Sequence, residues 1–314
     1  MKSSKNLVYK DFFSANQFVQ KLNVYSTIWR GRKSKNSFSL KNINTRKEKI
    51  PQILQRVFGI ENKSLFNIKY EEAISGDGQE WKRITTLHSS SLIALLCFYS
   101  VSKEHPLKID CYNFDESFFE VKTIVHDSHK SNMDVVLRGE NTKTGKKAVL
   151  FLESKFTEYL ACGKKSNISI DVYDATYNKL LLFDKPIKNI RFGKNDDGIF
   201  VEAKKPIYCG GIKQMLSHYM GVSNYATHKC VEHNRFKYVD GEEILLGEIM
   251  FDFKGCIVNS AAKLQNYKET YSELAKRING HQHQVRMLDE VMTYQEIFTD
   301  NFIKEENIRL FYNL

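Results

Sequence analysis

The spacing of apolar residues changes character along the chain, and it predicts helices first and strands afterwards. Helix-like spacing occurs within residues 1–60 and again from Gln79 to Tyr99. The serines at 89–91 have hydroxyl groups that can cap or bend the second helix. From Phe119 to Val125, apolar residues alternate with polar or charged ones. This alternation is typical of a half-buried strand.

Two further apolar runs are separated by a polar segment rich in turn-forming residues. The runs are Met133–Leu137 and Ala148–Leu152, and the segment between them is Gly139–Lys147. Such a pattern predicts a β-hairpin. The second run continues directly into Glu153-Ser154-Lys155, so charged residues follow at the end of an apolar strand.

The rest of the chain returns to helical spacing after a β-rich stretch. Strands are predicted in that stretch at Ile168–Val172, Lys179–Phe183 and Ile199–Glu202. Helices are predicted over residues 212–222 and 264–278, the second ended by Gly280, with a buried strand at 244–253 between them. The order of helix, three strands, helix, strand and further helices predicts an α/β protein with a mixed central sheet flanked by helices.

The charge of the chain favours a polyanionic partner. Lysine and arginine number 47 against 37 aspartates and glutamates, a net charge of +10. The segment from Arg30 to Lys49 is strongly basic, and phosphate contact and a solvated surface explain it equally well. The longest apolar run, Leu92–Tyr99, is far shorter than the roughly 20 residues that cross a bilayer. We therefore expect a cytoplasmic protein with no membrane partner.

The residue types with the clearest chemical meaning are Asp134, Glu153 and Lys155. Because side chains alternate along a strand, Glu153 and Lys155 project to the same side, and hairpin pairing can bring Asp134 beside them. Two carboxylates at the end of an apolar strand are costly unless a cation compensates them. Oxygen ligands suit Mg²⁺. A strand-end salt bridge is the alternative interpretation.

In phosphodiester hydrolysis each of these groups has a defined role. Asp134 and Glu153 would hold the metal, together with a backbone carbonyl of Leu152 or Ser154. Lys155 would orient the attacking water or stabilise charge in the transition state.

The stretches of sequence around Asp134 and around Glu153-Ser154-Lys155 resemble the PD-(D/E)XK nuclease superfamily, which has the restriction-endonuclease-like fold. More narrowly, they resemble a family of predicted bacterial restriction endonucleases. Asn132-Met133-Asp134 stands for the "PD" element and Glu153-Ser154-Lys155 for "(D/E)XK". Further similar stretches lie at 78–80, 87–91 and 156–158, so that the resemblance covers roughly residues 70–160. Met133 replaces the proline of the motif, at a position that shapes the strand rather than binding metal.

The resemblance implies a nuclease core over residues 66–314 with C-terminal helices. Residues 1–65 resemble no known family, and their apolar spacing predicts a helical N-terminal extension that could contact DNA. The resemblance also implies an acid on the first core helix. Glu80 is the candidate for this acid, as a third metal ligand or a base that holds water. Glu71 and Glu72 are competing candidates, and a surface salt bridge is the alternative interpretation.

Four further residues are candidates for supporting roles. Gln214 and His218, four apart on one helix, could point to the active site or to DNA, or form a solvent-facing pair. Lys213 could touch phosphate. His88 could help shape the site, although a capping or core histidine is the stronger interpretation.

The sequence thus predicts a Mg²⁺-dependent endodeoxyribonuclease, with Mn²⁺ as a substitute metal and duplex DNA as partner. A homodimer would present two active sites to the two strands. The alternatives are a nuclease-fold module that binds DNA without cutting it, a repair or branched-DNA nuclease, and a basic structural protein in which these residues form a surface ion-pair network.

Overall fold

The structure is a computed structural model. It describes residues 29–31, 38–40, 49–76, 84, 89–126, 129–160, 165–168, 173–196, 198–254, 257, 259–281, 284–298 and 302–314, with the backbone alone for 29–31, 38–40 and 165–168.

The helices and strands alternate irregularly along the chain. The strands are β1 (Trp29–Gly31), β2 (Phe38–Leu40), β3 (Leu107–Ile109), β4 (Tyr112–His126), β5 (His129–Asn141), β6 (Lys147–Lys155), β7 (Lys165–Ile168), β8 (Ile190–Asn195), β9 (Gly198–Ala203), β10 (Val231–Glu232), β11 (Glu243–Met250), β12 (Val285–Met287) and β13 (Met292–Thr293). The helices are α1 (Ile50–Phe58), α2 (Lys63–Ala73), α3 (Ser90–Phe98), α4 (Asp174–Lys179), α5 (Cys209–His228), α6 (Ser260–His281), α7 (Tyr294–Ile297) and α8 (Glu306–Tyr312).

A mixed sheet of eight strands forms the centre of the protein. Six of its strands run in the order β10-β4-β5-β6-β11-β12, while β3 pairs with β4 and β13 with β11. The pairs β4–β5 and β5–β6 are antiparallel, whereas β6–β11 is parallel. The predicted α/β class, with a mixed central sheet and flanking helices, is therefore confirmed.

Helices cover both faces of this sheet. On one face, α5 packs against β4, β5 and β11, and Phe151 of β6 contacts Tyr225 of α5 with ring centroids 5.1 Å apart. On the other face, α3 packs against β5 and β6, and the Ser154 hydroxyl donates to the carbonyl of Ser90. Successive residues of β6 thus face different helices, as strand geometry requires.

The start of the chain differs from the predicted helical extension. Residues 29–31 and 38–40 form an antiparallel strand pair, while the predicted helix around residues 12–22 lies outside the described residues. Helix α1 is confirmed, but it belongs to the core: Phe58 packs edge-on against Phe311 of α8, 5.3 Å between centroids. The boundary predicted between residues 65 and 66 falls inside α2. Apolar packing therefore joins α1 to the C-terminal helix α8, and α2 packs against α1 and β4.

Three further predictions differ from the structure in detail. Helix α3 begins at Ser90, with the Ser89 hydroxyl accepting from the amide of Leu92, so this helix does not extend back to Gln79. Residues 79–83 and 85–88 lie outside the described residues. The predicted strand 179–183 is the end of α4 and the turn after it, where buried Leu180 and Leu182 supply the apolar pattern. Helix α6 continues through Gly280 to His281.

Candidate functional site

The end of the β5–β6 hairpin brings two carboxylates together. Backbone pairing between the two strands extends to Val135 and Leu152. Just past this last pair, the backbone amide of Ser154 donates to Asp134 Oδ2 over 2.8 Å. The Asp134 side chain therefore takes the place of a backbone acceptor at the point where the strands separate, and Glu153 is the adjacent residue on β6.

Glu153 and Lys155 are joined to each other and to helix α5. Lys155 Nζ donates to Glu153 Oε1 and, over 2.8 Å, to Gln214 Oε1. Gln214 Nε2 in turn donates to Glu153 Oε1 over 2.6 Å. The three side chains form a closed ring of hydrogen bonds. Only 2% of Glu153 and 5% of Lys155 is exposed, so solvent screens this ion pair weakly.

His218 holds the other oxygen of Glu153. Its Nε2 lies 2.8 Å from Glu153 Oε2, and its Nδ1 is hydrogen-bonded to the hydroxyl of Ser131 on β5. His218 is 1% exposed. Gln214 and His218 therefore both point to Glu153, as one of the two interpretations of this pair predicted. The alternative, a solvent-facing pair, is wrong.

The pKa values of Asp134 and Glu153 are shifted in opposite directions. Burial alone would raise the pKa of Glu153, but the Lys155 charge and the contacts with His218 outweigh it and lower the pKa to about 2. Desolvation, with the nearby charges of Glu153 and Glu120, raises the pKa of Asp134 well above its ordinary value. Lys155 stays charged, because Glu153 and Glu158 raise its pKa against the effect of burial. The Asp134 carboxyl thus keeps its proton to a higher pH than an ordinary aspartate, whereas Glu153 loses its proton at a lower pH than an ordinary glutamate.

Two acids near the site were missed by the sequence analysis. Glu248 on β11 is the register partner of Glu153, and it is fully buried. A single charged residue inside the apolar run Ile244–Phe251 was a pattern that could have identified it. Glu120 on β4 raises the pKa of Asp134 and has a left-handed φ of 53° within the strand. Such a conformation is costly for a residue other than glycine. No sequence pattern indicated that Glu120 approaches Asp134.

The remaining predicted residues lie around or outside this cluster. Lys213, next to Gln214 on α5, is partly buried, and burial lowers its pKa. Glu80 and His88 lie outside the described residues. The structure therefore brings together Asp134, Glu153, Lys155, Gln214 and His218, and it adds Ser131 to them.

A metal ion at this site would have to use a small set of ligands. Among the residues that the structure describes, no three His, Cys, Asp or Glu side chains are grouped so that they could hold a metal ion. Asp134 and Glu153 are a pair, and the backbone beside them offers carbonyl oxygens. The raised pKa of Asp134 fits a cation site, because a cation would relieve the repulsion from Glu153.

Comparison with known proteins gives no match that bears on this arrangement. A scan against models of protein families and searches of curated proteins and of solved structures found no significant match to the chain. Across the described residues, no helix is both long enough and apolar enough to cross a membrane.

Proposed function

We propose that this protein is a Mg²⁺-dependent endodeoxyribonuclease of the restriction-endonuclease-like kind. The observation that carries the proposal is the Asp134–Glu153–Lys155 cluster at the end of the β5–β6 hairpin. Asp134 is bonded to the amide of Ser154, and Lys155 is bonded to Glu153. Two carboxyl groups that could hold a divalent cation, beside a charged lysine, suit metal-assisted phosphodiester hydrolysis.

Asp134 and Glu153 would hold Mg²⁺, for which Mn²⁺ is the expected substitute. A bound divalent cation would acidify a water molecule and offset negative charge on the phosphate. The residues fit this role in part: the pair of carboxylates is present, while Glu80, the proposed third ligand, lies outside the described residues. Glu153 would exchange part of its contact with Lys155 and Gln214 for the metal.

Lys155 would act on the reacting groups, and Gln214 would hold Lys155 in place. Lys155 keeps its positive charge at neutral pH, because the neighbouring carboxylates raise its pKa. Its ammonium group could therefore orient a water molecule or stabilise charge on the phosphate. Gln214 Oε1 accepts from Lys155, which restricts where the ammonium group can lie. Fixing the charge before the substrate arrives avoids a reorganisation cost during the reaction.

The partner that fits this chemistry is duplex DNA. The net charge of +10 favours a polyphosphate substrate, and Lys213 and the segment from Arg30 to Lys49 are candidates for phosphate contact. Cleavage of both strands would call for two active sites, which a homodimer would supply. A cytoplasmic location follows from the same proposal, because the substrate would be intracellular DNA.

One observation favours a second candidate function. Both oxygens of Glu153 are already engaged by Lys155, Gln214 and His218. A module that binds DNA without cutting it could use the same residues as a buried structural network. A repair or branched-DNA nuclease would differ from the first candidate in substrate alone.

Plasmid digestion tests the proposal. Purified protein is incubated with supercoiled plasmid in Mg²⁺, in Mn²⁺ and in EDTA, next to Asp134→Asn and Lys155→Met. Asp240→Asn is the matched control, because Asp240 is on the surface, with 84% of its side chain exposed. We expect nicked and linear DNA with either metal and none with EDTA. Each site variant should lower the rate about 100-fold or more, and the control should keep it.

The other outcomes separate the candidates. Unchanged cutting by Asp134→Asn would contradict the proposal. Duplex binding without cutting, under both metals, would favour the binding module. Preferential cutting of four-way junctions or flaps would favour a branched-DNA nuclease. Neither binding nor cutting would favour a structural role.

A further inference from the structure

Ser131, His218 and Glu153 form a chain of hydrogen bonds that runs from strand β5 through helix α5 to strand β6. His218 Nε2 lies 2.8 Å from Glu153 Oε2, and His218 Nδ1 is bonded to the hydroxyl of Ser131. All three side chains are buried, with 5% of Ser131 exposed. Ser131 lies three residues before Asp134, so the chain links the strands that carry the two carboxylates.

The chemistry of the groups fixes the direction of the bond to Glu153. An ionised carboxylate can only accept, so His218 Nε2 must carry the hydrogen that it shares with Glu153. In the neutral imidazole the lone pair is then on Nδ1, which accepts from the hydroxyl of Ser131, whereas in the imidazolium Nδ1 would donate to that hydroxyl. For the neutral ring, Ser131 therefore selects the tautomer in which His218 can donate to Glu153.

A close contact between α5 and the sheet makes this chain possible. Gly221 lies one turn after His218 on α5. A Cβ atom on Gly221 would come within 2.2 Å of Thr123 Oγ1 and 3.4 Å of Ser131 Cβ. The missing side chain lets the helix approach β4 and β5 closely. The hydroxyl of Ser131 thus reaches the His218 ring directly.

We propose that Ser131 and His218 are positioning residues that fix Glu153 Oε2, so that Glu153 meets a divalent cation in one orientation. This inference rests on the proposed function, because it assigns Glu153 to the metal. Groups that orient a metal ligand through a hydrogen bond commonly change metal affinity or activity about 10–100-fold when they are removed. Neither residue needs to touch the substrate.

Two substitutions of His218 distinguish a positioning role from a packing role. The amide nitrogen of glutamine falls near the position of Nε2, whereas that of asparagine falls near Nδ1. His218→Gln can therefore keep the donor to Glu153, and His218→Asn cannot. The readout is the dissociation constant of Mn²⁺ without DNA, measured from the paramagnetic resonance of free Mn²⁺. We expect at least about a 10-fold weakening for His218→Asn, a smaller one for Ser131→Ala, and recovery towards the wild-type value for His218→Gln.

Ser223→Ala is the matched control for Ser131→Ala. Ser223 lies half-buried on α5, and its hydroxyl oxygen is buried but has no hydrogen-bond partner within the described part of the chain. We expect this control to bind Mn²⁺ as the wild type does. A second readout needs no metal: long-range ¹⁵N–¹H spectra should show the Nε2–H tautomer of His218 in the wild type, and a loss of that preference in Ser131→Ala.

The outcomes separate this inference from the proposed function. If Asp134→Asn abolishes Mn²⁺ binding while His218→Asn leaves it unchanged, the positioning role is overturned and the proposed function stands. An Nδ1–H tautomer in the wild type would also overturn it. If the wild type binds no Mn²⁺ at millimolar concentration, the proposed function fails, and the role of the two residues in metal binding fails with it.

Discussion

Glu153 on β6 and Glu248 on β11 are register partners on parallel strands, yet the pKa values of the two side chains are shifted in opposite directions. The Lys155 charge, with His218, lowers the pKa of Glu153 to about 2 despite burial. Burial raises the pKa of Glu248 to about 8. Glu248 has the hydroxyl of Tyr267 as a donor, 2.7 Å from its Oε2, while its Oε1 lacks a hydrogen-bond partner among the described residues. Of the two acids, Glu153 therefore has a cation beside it that compensates its charge, whereas Glu248 has a hydroxyl donor at one oxygen.

The raised pKa of Glu248 predicts that stability falls as the pH rises. The folded-state pKa of about 8 exceeds the ordinary value of 4.5, so the folded protein binds the extra proton between these values. The stabilising contribution is fully present below about pH 4.5 and is lost as the pH rises through 8. The slope for this one group is at most about 1.4 kcal/mol per pH unit.

Denaturant unfolding of the wild type and of Glu248→Gln between pH 5 and 9 checks this expectation. Asp134 also has a raised pKa, but it is present in both proteins, so the difference between them isolates Glu248. We expect the wild type to lose stability relative to Glu248→Gln with rising pH. A difference that stays constant across this range would contradict the assignment.

Gln214 should affect activity more than stability. It closes the ring between Lys155 and Glu153, so Gln214→Ala would leave the lysine free to adopt other positions. We expect the cleavage rate to fall about 10–100-fold. Gln214→Glu should restore little of it, because it keeps an acceptor for Lys155 but sets a second carboxylate against Glu153 in place of the donor. The control is Gln265→Ala on helix α6, where the glutamine is exposed and bonded to Glu269. Equal rates for Gln214→Ala and this control would argue against the role.

Two helical glycines should respond oppositely to alanine. At Gly221 a Cβ would lie 2.2 Å from Thr123 Oγ1, whereas at Gly280 nothing lies within 4 Å. Overpacking should make Gly221→Ala about 1–3 kcal/mol less stable. Gly280→Ala should be about 0.5–1 kcal/mol more stable, because alanine favours the helix. Thermal unfolding measures both, and a stabilised Gly221→Ala would show that α5 does not approach the sheet as described.

Metal affinity should increase with pH. The pKa of Asp134 is raised by desolvation and by the charges of Glu153 and Glu120, so a cation must displace a proton from this carboxyl group before it binds. Below the folded pKa of Asp134, each lower pH unit should weaken Mn²⁺ binding by up to about 10-fold. Calorimetry in buffers of different ionisation enthalpy would measure the proton released. Binding without proton release at every pH at which the protein is folded would contradict this coupling.

The sequence by itself determined the hairpin and the relation of Glu153 to Lys155. Alternation of apolar and polar residues along a strand reports which face is buried, and a spacing of two residues places both side chains on one face. The same local rules predicted helix α5 and strand β11. These features depend on residues that are close together in the chain, so a single sequence contains them.

Tertiary structure decided which side chains meet. Gln214 and His218 lie about 60 residues after Glu153, and helical spacing indicated a shared face but not the partner. The strand pairing of β6 with β11 places Glu248 beside Glu153, and Gly221 allows the approach that brings Ser131 to His218. The apolar turn after α4 was mistaken for a strand because burial there comes from long-range packing. Contacts and charge compensation across the sheet arise from folding, and local spacing cannot encode them.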